Sequence, residues 1–249
     1  MGTFEDYSNY YDLLYADKDY DGEVDYIDKL IKNINPKAKT LLDLGCGTGK
    51  HDMLLHKKGY ATTGVDLSAD MIKRAKAQFD LTFVEGDIRT VKLDKKFDVV
   101  VSLFHVMSYQ TSNSDLQQVF QTAKAHLEKE GLFIFDCWYG PAILNDQPVT
   151  RVKRMEDEKF EIIRLSESIL HANTNVVDVS FEVMIRDKKK ESVRTLKELH
   201  PMRYLFFPEV KHFAENAGFE IVVFEEWLTG RKPQIDSRNV VFVCKLVSK

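Results

Sequence analysis

Cysteine is scarce in this chain, three residues in 249, and Cys46, Cys137 and Cys244 have neither the even count of a disulfide framework nor the spacing of a metal-ligand set. No metal is therefore expected. No stretch is apolar for the length of a membrane span, and the first residues, with Glu5 and Asp6 and no apolar core, lack the make-up of a signal peptide. A cytoplasmic location is expected. A basic excess is missing as well: 35 Lys and Arg stand against 39 Asp and Glu, for a formal net charge of -4. Phosphate-rich partners normally leave a basic surplus or stripe, so neither nucleic acid nor a membrane is the expected partner. The lysines at 188–190 and 95–96 adjoin turn residues and read as solvated hairpin tips. What remains, 44% hydrophobic and 30% charged, is an ordinary globular composition. It is long enough for one large α/β domain with an elaboration, or for two small domains.

Against that plain background stands the run Leu41-Leu42-Asp43-Leu44-Gly45-Cys46-Gly47-Thr48-Gly49-Lys50. Its first residues read as the end of a buried strand. Its three glycines, on alternate positions, read as a turn where the backbone comes close to a ligand. A dinucleotide fingerprint requires Gly-x-Gly-x-x-Gly, and here that third position is Lys50. Asp43, two residues before the first glycine, would repel a pyrophosphate but suits a cationic or zwitterionic ligand.

Strand and helix signals then alternate with short connections, the pattern of a parallel sheet wrapped by helices. A helix is expected over 51–58, closed by Gly59, then a strand over 61–65 ending at Asp66 and a helix capped by Ser68. Strands follow over 81–85 and 97–103, the second apolar enough for burial on both faces. Ser114-x-x-Gln117 reads as a capping box opening a helix that Gly131 ends, with a fifth strand over 132–138. Upstream, Val24, Ile27, Ile31 and Ile34 mark an amphipathic helix stopped by Asn35-Pro36. After the fifth strand the period changes to two: Val177, Val179, Phe181, Val183 and Ile185 alternate with mostly polar residues, with similar texture over 160–170 and 192–206. These antiparallel strands form an insertion. A helix over 208–217, closed by Gly218, and strands over 219–227 and 239–246 resume the core. The expected organisation is an N-terminal tyrosine-rich lid (1–20), a ligand-binding core (21–140), an antiparallel insertion (141–207) and the C-terminal part of the core (208–249).

The glycine loop and its preceding Asp43 resemble motif I of the class I S-adenosylmethionine-dependent methyltransferases, and the insertion after the fifth strand resembles that of small-molecule members. A weaker likeness is to the sugar-nucleotide N-methyltransferases. The resemblance implies a doubly wound, Rossmann-like sheet of seven strands, the last antiparallel, and S-adenosylmethionine as cofactor. It places Asp43, Gly45, Cys46 and Gly47 at the methionine moiety and Leu103 at the neighbouring strand end. Asp66, at the end of the second strand, can accept from vicinal ribose hydroxyls, with Leu67 beside it. Glu85-Gly86-Asp87-Ile88 resembles the adenine motif, with Asp87 for the exocyclic amine and Ile88 as an apolar wall. For Asp66 the alternative is a helix cap, and for Asp87 an ordinary turn residue.

The acceptor side is less determined, because a sulfonium is already a good leaving group and little side-chain chemistry is needed. His105, in Phe104-His105-Val106-Met107-Ser108-Tyr109, leaves the fourth strand at its ligand-facing end; it is a candidate base or a loop histidine bonded to backbone. Tyr109 is a candidate substrate contact. The segment lacks the Asn/Asp-Pro-Pro-Tyr tetrapeptide of enzymes that modify nucleic-acid or protein amides. His200 and Arg203 lie where the insertion rejoins the core; His200, like Tyr11, is a candidate catalytic residue, and Arg203 is expected either to bind a substrate anion or to be a surface arginine on an edge strand. Five of ten tyrosines fall in the first twenty residues, and Tyr11 and Tyr15, one helical turn apart, are expected near the methionine end. The leading expectation is methyl transfer to a small-molecule amine, with an amino sugar nucleotide as one acceptor. The alternatives are a small-molecule O-methyltransferase, a non-catalytic S-adenosylmethionine-binding protein and, last, an NAD-dependent dehydrogenase. A homodimer is compatible with the chain.

Overall fold

The computed structural model describes residues 18–247. Seven strands form one sheet in the order β10-β11-β5-β4-β1-β2-β3. They are β1 (Thr40–Leu44), β2 (Ala61–Asp66), β3 (Thr82–Glu85), β4 (Phe97–Ser102), β5 (Leu127–Trp138), β10 (Phe219–Glu226) and β11 (Asn239–Leu246). All neighbours are parallel except β11, which is antiparallel to both β5 and β10. The expected seven-stranded α/β sheet, with its last strand reversed, is thus the fold.

Six helices, α1 (Tyr20–Ile34), α2 (Lys50–Lys57), α3 (Ala69–Gln78), α4 (Asn113–His126), α5 (Gly140–Asn145) and α6 (Phe207–Ala217), accompany it. The central strands are apolar on both faces, and each face has its own helix layer. Leu41, Val99, Val101, Ile134 and Val243 pack with Val24, Ile27, Ile31 of α1 and Leu55 of α2. Leu42, Leu44, Val100, Phe133 and Phe135 pack on the other side with Leu116, Val119, Phe120 of α4 and Val210, Phe213, Ala214 of α6. Consecutive residues of one strand serve opposite layers, so polar side chains are pushed to the strand ends, where ligands bind in an open α/β sheet.

A second, four-stranded antiparallel sheet, β6-β7-β8-β9, comprises β6 (Arg151–Glu156), β7 (Phe160–His171), β8 (Val176–Asp187) and β9 (Ser192–Arg203). One of its faces packs Val177, Val179, Met202 and Tyr204 against Ile143 of α5 and Trp138 at the end of β5. That contact sets the small sheet beside the carboxyl end of β5.

Two expected boundaries shift. The cap of α4 is Ser112, whose Oγ accepts from the Asp115 N–H at 3.0 Å and donates to Asp115 Oδ2 at 2.7 Å. Asp115 is also held by Arg89, which draws the helix start two residues earlier than Ser114. Gly131 does not end that helix: His126 closes it and β5 begins at Leu127, with a register shift opposite Phe97 and Val99. Gly131 lies inside this irregularity, where an added Cβ would stand 3.0 Å from the Glu128 carbonyl and 3.1 Å from that of Asp98.

Candidate active site

The carboxyl ends of β1, β2, β4 and β5 bring the chemistry together. After β1 the chain turns back on itself, and the Gly45 and Cys46 N–H groups donate to the Val65 carbonyl of β2 at 2.8 and 3.0 Å. Gly45 has φ 102°, and a Cβ there would lie 2.5 Å from Val106 Cγ2, so the loop and the segment after β4 touch through this glycine. Gly47 has φ 55°, and a Cβ there would meet no atom of the described residues within 4 Å. One glycine permits a close packing contact; the other borders open space that a ligand can fill.

Three carboxylates cluster at this loop. Asp66 takes the Gly47 N–H on Oδ2 at 2.8 Å and the Ser68 N–H on Oδ1 at 2.9 Å. Ser68 itself caps α3, accepting from the Met71 N–H, so Asp66 is free of the capping duty and retains lone pairs. Asp43 is 1% exposed and Asp52, in the first turn of α2, 0% exposed. The two carboxyls lie against each other, and no third group among the described residues donates to Asp43 Oδ1 or to either Asp52 oxygen. Burial holds both carboxyls above the usual carboxylate range, and Asp43 is raised further by Asp52. Asp66 is raised as well, chiefly by burial and against the pull of its two backbone donors. Buried acceptors without donors are costly, and such a cup fits a ligand that brings a cation and hydroxyls. S-adenosylmethionine, with an ammonium, a sulfonium and a ribose diol, meets both requirements.

A linkage follows. A cation entering the cup favours the ionised carboxyls, so S-adenosylmethionine binding is expected to release protons and to weaken as pH falls from mildly alkaline through neutrality. Calorimetry in buffers of different ionisation enthalpy measures this; a binding heat independent of buffer would contradict it.

The other expected cofactor residues line the same region in unequal ways. Leu67 is 67% exposed beside Asp66, while Ile88 and Leu103 are buried. Cys46 is buried and its thiol is pushed well up by burial and then by the Asp52 and Asp43 charges, so it packs and does not act as a nucleophile. Asp87 is held by Arg89, with Nη2 at 2.6 Å and Nε at 2.9 Å, and this partner keeps its carboxyl below the usual range. An adenine amine at Asp87 would share the carboxylate with Arg89.

On the acceptor side, β4 runs into two consecutive left-handed residues, Phe104 (φ 64°) and His105 (φ 63°). Such backbone costs on the order of 1–3 kcal/mol per residue and collects at functional sites. The His105 N–H donates to both oxygens of Asp136, at 3.2 and 3.1 Å, and its ring Nδ1 lies 2.6 Å from Asp136 Oδ2 without hydrogen-bond alignment. Asp136, buried near the end of β5, thus holds the backbone of His105 and stands beside its ring. At the start of α1, Lys18 Nζ sits 4.4 Å from the Phe104 ring centre, and Glu23 bonds His51 Nε2 at 2.8 Å.

The 3₁₀ turn Val106–Tyr109 carries the chain toward the small sheet. Tyr109 is 41% exposed, and its hydroxyl lies 2.9 Å from Nδ1 of buried His200 on β9. His200 Nε2 lies 3.0 Å from Glu198 Oε2, also buried. Arg203 is not the surface arginine of an edge strand. It is buried, and its guanidinium bonds the Thr111 carbonyl at 3.2 Å, Asn113 Oδ1 at 2.6 Å and Glu209 Oε1. That pattern ties β9 to the starts of α4 and α6, and a substrate anion would have to displace it. Tyr11 and Tyr15 lie outside the described residues. Asp52, Asp136 and Glu198 were not singled out from the sequence. Asp136 carried a readable signal, a lone carboxylate in the apolar run Phe133-Ile134-Phe135-Asp136-Cys137-Trp138.

Comparison with known proteins bears on this geometry. A family described as a methyltransferase domain matches residues 41–131, the segment from the glycine loop to the start of β5. A dTDP-3-amino-3,4,6-trideoxy-alpha-D-glucopyranose N,N-dimethyltransferase of Streptomyces venezuelae is 30% identical across 91% of this chain and 95% of its own length. Among solved structures, an S-adenosylmethionine-dependent methyltransferase from Clostridium acetobutylicum superposes with a TM-score of 0.84 at 22% identity, covering 99% of this chain and 100% of that one. An S-adenosylmethionine-bound amino pentose methyltransferase from Micromonospora echinaspora gives a TM-score of 0.76 at 23% identity, with 92% of each chain covered.

Proposed function

We propose that this chain, which belongs to the class I S-adenosylmethionine-dependent methyltransferases, methylates the amine of a small molecule, with an amino sugar nucleotide as the acceptor. The observation that carries this reading is the 30% identity to an amino-sugar N,N-dimethyltransferase, which spans the small antiparallel sheet as well as the donor core. Similarity confined to the donor core would have said nothing of the acceptor.

S-adenosylmethionine supplies a methyl group on a sulfonium that leaves without protonation. The protein's share is to hold, orient and dry the reactants. Asp43 and Asp52 would hold the ammonium, and Asp66, which closes the loop through Gly47, would take the ribose hydroxyls. Leu67 and Ile88 cover the adenine. Two left-handed residues and Asp136 hold His105 at the end of β4, beside the loop that Gly45 fits against Val106. An amine acceptor attacks once it is neutral, so a histidine suffices as proton acceptor. A hydroxyl acceptor usually requires a stronger base or a metal.

Incubation with S-adenosylmethionine and dTDP-3-amino-3,4,6-trideoxy-alpha-D-glucopyranose is expected to yield methylated product by mass spectrometry, and the counterpart bearing a hydroxyl at the same carbon is expected to yield none. Methylation of the hydroxyl compound alone would remove the amine assignment.

A further inference from the structure

We propose that Tyr109, His200 and Glu198 form a proton relay that neutralises the acceptor after its first methylation and so permits a second. The inference rests on the amine reading above, in which His105 accepts a proton at the first transfer, and adds to it a separate route for the proton that must leave before the second. Methylating a primary amine gives a secondary ammonium, whose nitrogen has no lone pair for another methyl group. An N–H proton must leave before a second methyl group can be accepted.

The three side chains supply a route. Glu198 is buried on β9, and the period of a strand puts His200, two residues on, on the same face. A carboxylate 3.0 Å from His200 Nε2 accepts only if that nitrogen carries the proton. The neutral ring then presents a lone pair at Nδ1, and the Tyr109 hydroxyl, 2.9 Å away, donates to it. Phe181 packs on the imidazole at a centroid distance of 5.0 Å and keeps one side dry. Tyr109 belongs to the core, four positions after His105, whereas His200 and Glu198 belong to the small sheet. The relay therefore spans the junction of the two sheets.

The transfer balances without another reagent. The ammonium N–H passes its proton to Tyr109 Oη, and the Tyr109 hydroxyl proton moves to His200 Nδ1. The amine regains its lone pair, tyrosine is unchanged, and the imidazolium forms an ion pair with Glu198. The proton later returns through Tyr109, which reaches solvent, to water. Tyr109 touches the substrate; His200 and Glu198 act through it, Glu198 as the positioning residue that fixes the tautomer.

The test uses the full chain and two readouts. Imidazole nitrogen NMR on the free protein is expected to show a proton on His200 Nε2. With dTDP-3-amino-3,4,6-trideoxy-alpha-D-glucopyranose as probe, Glu198→Gln and Tyr109→Phe are each expected to lower kcat of the second methylation by about 100-fold. Monomethyl product then accumulates, while the Kd for S-adenosylmethionine does not move. A proton on Nδ1, or dimethylation at the wild-type rate in both variants, would overturn the relay. If the wild-type enzyme leaves the amine probe unmethylated, the amine reading fails and the relay falls with it. A wild-type enzyme that dimethylates the probe, with variants that do so equally well, refutes the relay alone.

Discussion

Asp66→Ala is expected to weaken S-adenosylmethionine binding by about 100-fold or more. A hydrogen bond to a charged group contributes roughly 1.5–3 kcal/mol, and under the proposed reading the carboxylate at the end of β2 would accept from two ribose hydroxyls. Loss of even about 3 kcal/mol is roughly a 100-fold change in Kd. The carboxylate also accepts the Gly47 and Ser68 N–H groups, so its removal loosens the loop as well. Thermal unfolding separates the two effects: a loop effect lowers Tm of the free protein, whereas the ribose effect lowers the gain in Tm on adding ligand. Calorimetry that gives wild-type affinity for Asp66→Ala would remove the ribose assignment.

The second large effect is on turnover. His105→Asn is expected to reduce kcat by about 100-fold or more, the usual scale for loss of a positioned proton acceptor, with cofactor affinity nearly intact. Asparagine is chosen because His105 has φ 63°, a left-handed backbone that asparagine tolerates better than most residues. The substitution keeps the N–H that donates to Asp136 and removes only the ring. Steady-state rates beside a binding isotherm measure both quantities. Unchanged turnover would return His105 to the role of a loop residue.

These predictions draw on residues that differ in how visible they were in the sequence. The glycine loop, Asp43 and Asp66 could be read directly, because glycine spacing and a carboxylate at the end of an apolar run are local signals. The central strands β1 and β4 were legible for the same reason: parallel strands buried on both faces are apolar runs. Strand β6 was missed because its sequence, Arg-Val-Lys-Arg-Met-Glu, is mostly charged, as befits the edge of a sheet. Asp52 was missed because a buried aspartate in a short helix looks like a solvated one. Only the fold sets it near Asp43. Arg203 illustrates the converse, since its three partners come from the loop before α4, from α4 and from α6, 92, 90 and 6 positions away, and no local pattern announces that clamp. The Glu198-x-His200 pair was readable as two groups on one strand face, but its completion by Tyr109 depends on how the small sheet meets the core. Local periodicity finds elements and strand ends. It does not find contacts between separately folded sheets.

Whether the methyl group goes to nitrogen is tested most directly by NMR of the product formed from S-adenosylmethionine carrying a carbon-13 methyl group and dTDP-3-amino-3,4,6-trideoxy-alpha-D-glucopyranose. The account predicts labelled methyl signals coupled to the amino nitrogen, first of the monomethyl and then of the dimethyl product. A labelled methyl on oxygen, or no labelled product while the protein binds S-adenosylmethionine tightly, would contradict it.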